Sequence, residues 1–187
     1  VDFEFGKARV VRADTVFEVR EALRSAEKDN SRIVLLTGLQ QGDLGRDVVG
    51  WDWFSLQLSD ATELMWYSLR RADGSADPVS SGTLVFADGR TQPLTAQDLT
   101  VESLDYWTSP RSKAQYPQQW RITAPSLGLN LDVRSLLADQ ELNTARSTHM
   151  VNCEGAVSTT GQVHGTAVTG RGYVELTGYA ERFTQRL

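Results

Sequence analysis

The 187-residue chain carries one cysteine, Cys153, and two histidines, His149 and His164. A single thiol excludes an internal disulfide and any cysteine-built zinc site. With two imidazoles, a metal centre would have to rest mostly on carboxylates, so neither a metal nor a cofactor is expected. There is no G-x-S-x-G elbow, and neither histidine stands at a recognisable triad spacing, which argues against acyl transfer. Basic residues are outnumbered, 19 Lys and Arg against 24 Asp and Glu, and a net charge of −5 counts against a dedicated nucleic-acid binder. No apolar run approaches the ~18 residues of a transmembrane helix. No signal pattern opens the chain either, although a mature form would lack one in any case. What is present, 40% hydrophobic and 23% charged residues, matches an ordinary globular protein long enough to bury a core.

The first fifty residues lack a further set. All five Trp, all five Tyr and all five Pro fall between Trp51 and Tyr179. Before that point the pattern is α/β. Val1 to Val11 reads as a strand. Thr15 and Glu18 form a capping box, and Val16, Val19, Leu23 and Ala26 mark one face of a helix. Asp29-Asn30-Ser31 stops it, and Ile33 to Leu36 reads as a second, buried strand. After Gly50 the pattern is β. Strands are expected at Trp51–Leu58, Glu63–Arg71, Gly82–Ala87, Gln92–Thr95, Leu99–Trp107, Gln119–Thr123, Leu129–Val133, Gly155–Thr159 and Gly165–Tyr179. Turns at Asp73-Gly74 and Asp88-Gly89 punctuate them, and Gly161, Gly170 and Gly172 read as breaks. Such spacing predicts a mainly β, antiparallel barrel or sandwich of about eight or nine strands. The expected division is a strand-helix-strand segment over residues 1–49 and a β-domain over 50–187.

Several ordered motifs carry a family resemblance. GWDWFSLQL from Gly50, ELMWYSLRRADGS from Glu63, YPQQWRITAPSLGLNLDV from Tyr116, CEGAV from Cys153 and GRGYVELTGY from Gly170 together resemble the AttH-type family of secreted hydrolases. That family is related to the CrtC-type carotenoid 1,2-hydratases. The resemblance implies a lipocalin-like, calycin-type barrel, the second of two barrels in such proteins, with an interior suited to an apolar ligand. It also implies a periplasmic or membrane-associated bacterial location. The chain departs from the family before GWDWF, where Thr37 to Gly45 holds neither Trp nor His, and at Asn152-Cys153, where the family has Tyr-Trp. Residues 15–49 instead resemble the opening of PglZ-type phage-defence proteins, which implies a seam near Val49-Gly50.

Among candidate site residues, Asp52 stands out. Alternation places it on the same strand face as Phe54 and Leu56, where desolvation would raise its pKa. A protonated carboxyl in an apolar pocket is the acid that alkene hydration needs. The bland alternative is that Asp52 faces solvent or makes a structural hydrogen bond at the start of its strand. Trp51, Trp53, Trp66, Tyr67, Trp107 and Trp120 are candidate ligand contacts, although aromatic rings in a barrel are commonly plain packing. Trp66 and Tyr67 point to opposite faces, so only one of them can line an interior. Glu154 and Tyr179 are candidate polar anchors. Arg70-Arg71 is expected to close its strand facing solvent, and Cys153 to be a small buried hydrophobe. Three functions follow from these readings. The first is binding of a hydrophobic isoprenoid or acyl molecule. The second is a cofactor-independent hydro-lyase or cyclase using Asp52 as acid, and the third is a purely structural half of a two-barrel protein.

Overall fold

A computed structural model describes residues 8–12, 32–36, 47–143 and 151–180, the first two ranges as backbone. The chain divides into two compact units at residues 44/45. In the first, β1 (Ala8–Arg12) and β2 (Arg32–Leu36) pair in parallel. These are the two strands expected there. The helix expected between them falls outside the described residues.

Among its described residues the second unit is built of β-strands, with one turn of 3₁₀ helix at Pro125–Leu127. Its strands are β3 (Val48–Leu58), β4 (Glu63–Arg71), β5 (Ser81–Val85), β6 (Thr91–Thr95), β7 (Thr100–Thr108), β8 (Gln115–Ala124), β9 (Leu129–Ser135), β10 (Glu141–Asn143), β11 (Val151–Val163) and β12 (Thr166–Thr177). Nine of them form one antiparallel sheet in the order β6-β5-β4-β3-β12-β11-β9-β8-β7, with the three-residue β10 added against β11. Every neighbour is close in sequence except β12 and β3, whose ladder joins the ends of the meander.

The sheet must curl. Its outermost strands, β6 and β7, are consecutive in the chain, and the link from Thr95 to Thr100 spans at most about 18 Å. Laid flat, nine strands would hold those edges about 38 Å apart. The result is a barrel open between β6 and β7, which share no ladder among the described residues.

Strand alternation fills the inside. Phe54, Leu56 and Leu58 of β3, Leu64 and Trp66 of β4, Trp120 and Ile122 of β8, and Leu129, Leu131 and Val133 of β9 are all buried in one core. Gly172 lies within β12 rather than ending it, and a Cβ there would stand 2.7 Å from Cδ2 of Leu56. The missing side chain lets the leucine lie across its neighbour, which is why a residue expected to break the strand sits inside it. The actual turn is His164-Gly165, both with positive φ (48° and 79°), a two-residue hairpin connection.

Candidate functional site

Period-two alternation brings one row of residues to the inner face near one end of the sheet. Glu141 pairs with Cys153, Cys153 with Leu176, Leu176 with Asp52, and Asp52 with Ser68, across five strands. Directly paired residues share a sheet face. Since Cys153 and Leu176 lie in the core, the whole row faces inward. Asp52 therefore occupies the side expected from its alternation with Phe54.

The arrangement around Asp52 is an ion pair reinforced by a phenol. Arg70 donates from Nη1 to Asp52 Oδ1 at 2.6 Å, and from Nη2 to the Thr177 carbonyl at 2.7 Å. Tyr179 donates its hydroxyl to Asp52 Oδ2 at 3.0 Å. The Arg70 guanidinium also lies over the Tyr179 ring, 3.8 Å from its centroid, adding a cation–π contact. Side-chain exposure is 19% for Arg70 and 13% for Asp52, so water touches the pair without surrounding it. Burial pushes the Asp52 carboxyl above its usual range, while Arg70 and the Tyr179 hydroxyl pull it back down. Burial beside that carboxylate pushes the Tyr179 phenol up as well, so it remains a donor.

Two local features build this cluster. Arg70 follows Trp66 and Ser68 on the inner face of β4 and does not face solvent, which corrects the expectation for Arg70, while the Arg71 side chain is 40% exposed and pairs with Asp77. The guanidinium has room because its register partner is Gly50, where a Cβ would come 2.6 Å from Nη2. Tyr179 is turned inward by Gly178, whose φ of 81° is a left-handed backbone that side-chain-bearing residues rarely adopt. Simple alternation from Leu176 would have sent Tyr179 outward.

The aromatic lining continues from Tyr179. Its ring lies 5.5 Å from Tyr116, which stacks at 6.3 Å on the half-buried Trp107. Trp120 meets Phe54 edge-on at 5.5 Å, and Trp66, the register partner of Phe54, is buried beside it. At the far end of the row, the Glu141 side chain is fully buried. It accepts from the Ser112 hydroxyl and, at 3.3 Å, from Arg111 Nε. Despite its burial, these donors hold its carboxyl below the usual range. Arg70, Tyr116 and Glu141 are not among the site residues that the sequence suggests. The periodicity of β4 and β8 was the available signal for the first two, and β10 is too short to show any.

The remaining candidates lie elsewhere. Trp51, Trp53 and Tyr67 share the outer face: Trp53 pairs with both Glu175 and Tyr67, and Trp51 donates from Nε1 to Glu175 at 3.2 Å. The two indoles thus flank Asp52 in sequence but not in space. Tyr67 accepts from Ser81 Oγ. Glu154 is also on that face, accepting from Asn152 Nδ2 at 2.7 Å and from the Tyr173 hydroxyl at 3.1 Å. The structure therefore brings together Asp52, Tyr179, Trp66, Trp107 and Trp120, and separates them from Trp51, Trp53, Tyr67 and Glu154.

Comparison with known proteins supports the same architecture. The chain is similar to an AttH protein from Nitrosomonas europaea, with 34% identity and a TM-score of 0.64, covering 73% of this chain and 40% of that one. It is also similar in fold to kievitone hydratase from Nectria haematococca, with 22% identity and a TM-score of 0.58, covering 72% of this chain and 40% of that one. It thus spans about two fifths of the length of these solved structures. No curated protein matches it. A model of the AttH-like family matches residues 40–179, across the seam expected near Val49-Gly50 and over the whole nine-stranded sheet, and the chain belongs to that family.

Proposed function

We propose that the curled sheet binds a hydrophobic small molecule of isoprenoid or acyl type, with its polar end toward Asp52, Arg70 and Tyr179. The observation that carries this reading is the placement of that ion pair. A guanidinium, a carboxylate and a phenol converge at the inner face of the curled sheet beside the Tyr116–Trp107 stack, where water still touches Asp52 and Arg70, and such polar groups orient a ligand. An ion pair in such a place is weak support for stability alone, because desolvating two charges offsets most of their attraction.

Fluorescence titration of the full chain with a fatty acid and with a polyene tests the reading, because Trp66, Trp107 and Trp120 report from the inside. Saturable quenching near one equivalent is expected. Absence of binding across several apolar probes would leave the domain as the structural half of a two-barrel protein.

A second reading, a cofactor-independent hydro-lyase acting on an apolar polyene, draws on the raised Asp52 carboxyl. In this arrangement Asp52 accepts from Arg70 and Tyr179, so proton delivery would require the ion pair to open as substrate enters. Asp52→Asn separates the two readings. A carrier keeps its ligand, whereas an enzyme keeps binding and loses turnover.

A further inference from the structure

We infer that the polar end of the molecule held at Asp52, Arg70 and Tyr179 is an uncharged hydroxyl, so that the ligand is a long-chain or isoprenoid alcohol rather than the matching acid or amine. This rests on the binding reading above and narrows its ligand class. Water still reaches the ion pair, at 19% side-chain exposure for Arg70 and 13% for Asp52, so a ligand head group can reach it too. The two charges are already matched to each other. Nη1 of Arg70 lies 2.6 Å from Oδ1 of Asp52, and Arg70 is the cation whose charge acts on that carboxyl. An incoming carboxylate would find its guanidinium neutralised and would meet the Asp52 charge. An incoming ammonium would meet the Arg70 charge in the same way. Like charges set side by side in an interface select against the complex.

A hydroxyl meets no like charge, and the pair has hydrogen-bonding capacity left for it. Asp52 accepts from Arg70 at Oδ1 and from Tyr179 at Oδ2, whereas a carboxylate offers about four lone-pair sites. Arg70 gives one N–H to Asp52 and one to the Thr177 carbonyl, which uses only part of its guanidinium fork. A hydroxyl is donor and acceptor at one atom, so it can donate to Asp52 while accepting from Arg70. The Tyr179 phenol already makes the first of these contacts, as an uncharged O–H held on the carboxylate at 3.0 Å. The apolar remainder of the ligand has a surface to follow. Tyr179 and Trp107 are both only partly buried, and Tyr116 joins them at 5.5 Å and 6.3 Å. Trp107 belongs to β7, an outermost strand of the sheet, beside the opening between β6 and β7. A chain lying along these rings needs no space within the packed core.

The test uses the full chain and three probes of one tail length, decanol, decanoate and decylamine, kept below micelle-forming concentrations. Affinities are measured by calorimetry at about pH 8, where the acid is ionised and the amine protonated. Decanol is expected to bind at least about tenfold more tightly than either charged probe. Two variants then locate the head group. Asp52→Asn removes the charge that repels decanoate and keeps an acceptor for a hydroxyl, so decanoate should gain about tenfold while decanol changes little. Arg70→Gln should do the same for decylamine. Decanoate or decylamine binding the unmodified protein as tightly as decanol would overturn the inference and leave the binding reading standing. So would an order of affinities that neither variant alters, because the head group would then not meet the pair. Failure of all three probes to bind would remove the binding reading and this inference with it.

Discussion

At the scale of single residues, Asp52 and Arg70 are the pair whose removal has the clearest consequence. Asp52→Asn leaves Arg70 with neutral acceptors, the Thr177 carbonyl and the new amide oxygen, and with the Tyr179 ring, but no counter-charge. The expected loss is about 2–3 kcal/mol, at or below the low end for fully buried pairs because water reaches both side chains. Pairing it with Arg70→Met in a double-mutant cycle should recover much of that loss. Additive losses in thermal denaturation would show that the two side chains do not interact. Much of this site was legible beforehand. Period-two alternation placed Asp52 with Phe54 and Leu56, and allowed only one of Trp66 and Tyr67 inside. Arg70 was missed because two adjacent arginines before an Asp-Gly turn look like the solvated end of a strand. Yet the same periodicity that turns Trp66 inward turns Arg70 inward too. Tyr179 required knowing that Gly178 is left-handed, a property of the folded backbone that no spacing reveals.

At the scale of strands, the outer face of β11 and β12 sets Glu154 directly opposite Glu175. Like charges in that position are destabilising. Burial and the Glu154 charge push the Glu175 carboxyl above its ordinary range. The fold therefore favours the neutral form, and this group's contribution to stability is full below the ordinary carboxylate pKa and lost as pH rises through the elevated value. Glu175→Gln keeps an acceptor for the Trp51 indole and removes the charge. The variant should melt about 1–4 °C higher at neutral pH, with the gap closing in acid. An unchanged or lower melting point at neutral pH would contradict this account. Strand positions followed from alternation and from Asp-Gly turns, whose glycines, Gly74 and Gly89, do take positive φ. The readings that failed share a cause. Gly161, Gly170 and Gly172 read as breaks because glycine is a poor strand former. In the folded sheet they lie where a neighbouring backbone or leucine passes too close for any Cβ.

At the scale of the whole molecule, the buried Cys153 reports on global opening. It is 1% exposed, and burial with nearby carboxylates pushes its thiol up to about 12. In native protein at about pH 8 it should resist a disulfide reagent, because the thiolate is the reacting species and the sulfur is enclosed. Labelling should then track denaturant-induced unfolding. Prompt stoichiometric reaction without denaturant would place the cysteine outside the core. A barrel of eight or nine antiparallel strands was expected from strand spacing and family resemblance. The closing ladder was not legible, because alternation tells a strand which face to bury but not which distant strand to join.

That ladder bears on how the chain could be re-cut. Since β3 and β12 are neighbours, the beginning and end of the meander already lie side by side. The exposed Asp88-Gly89 turn stands between β5 and β6. A circular permutant of the sheet unit that joins residue 180 to residue 47 through a short linker, and opens the chain between Asp88 and Gly89, would keep every ladder of the sheet. Such a permutant is expected to fold to the same β spectrum by circular dichroism, because new termini at exposed turns are well tolerated.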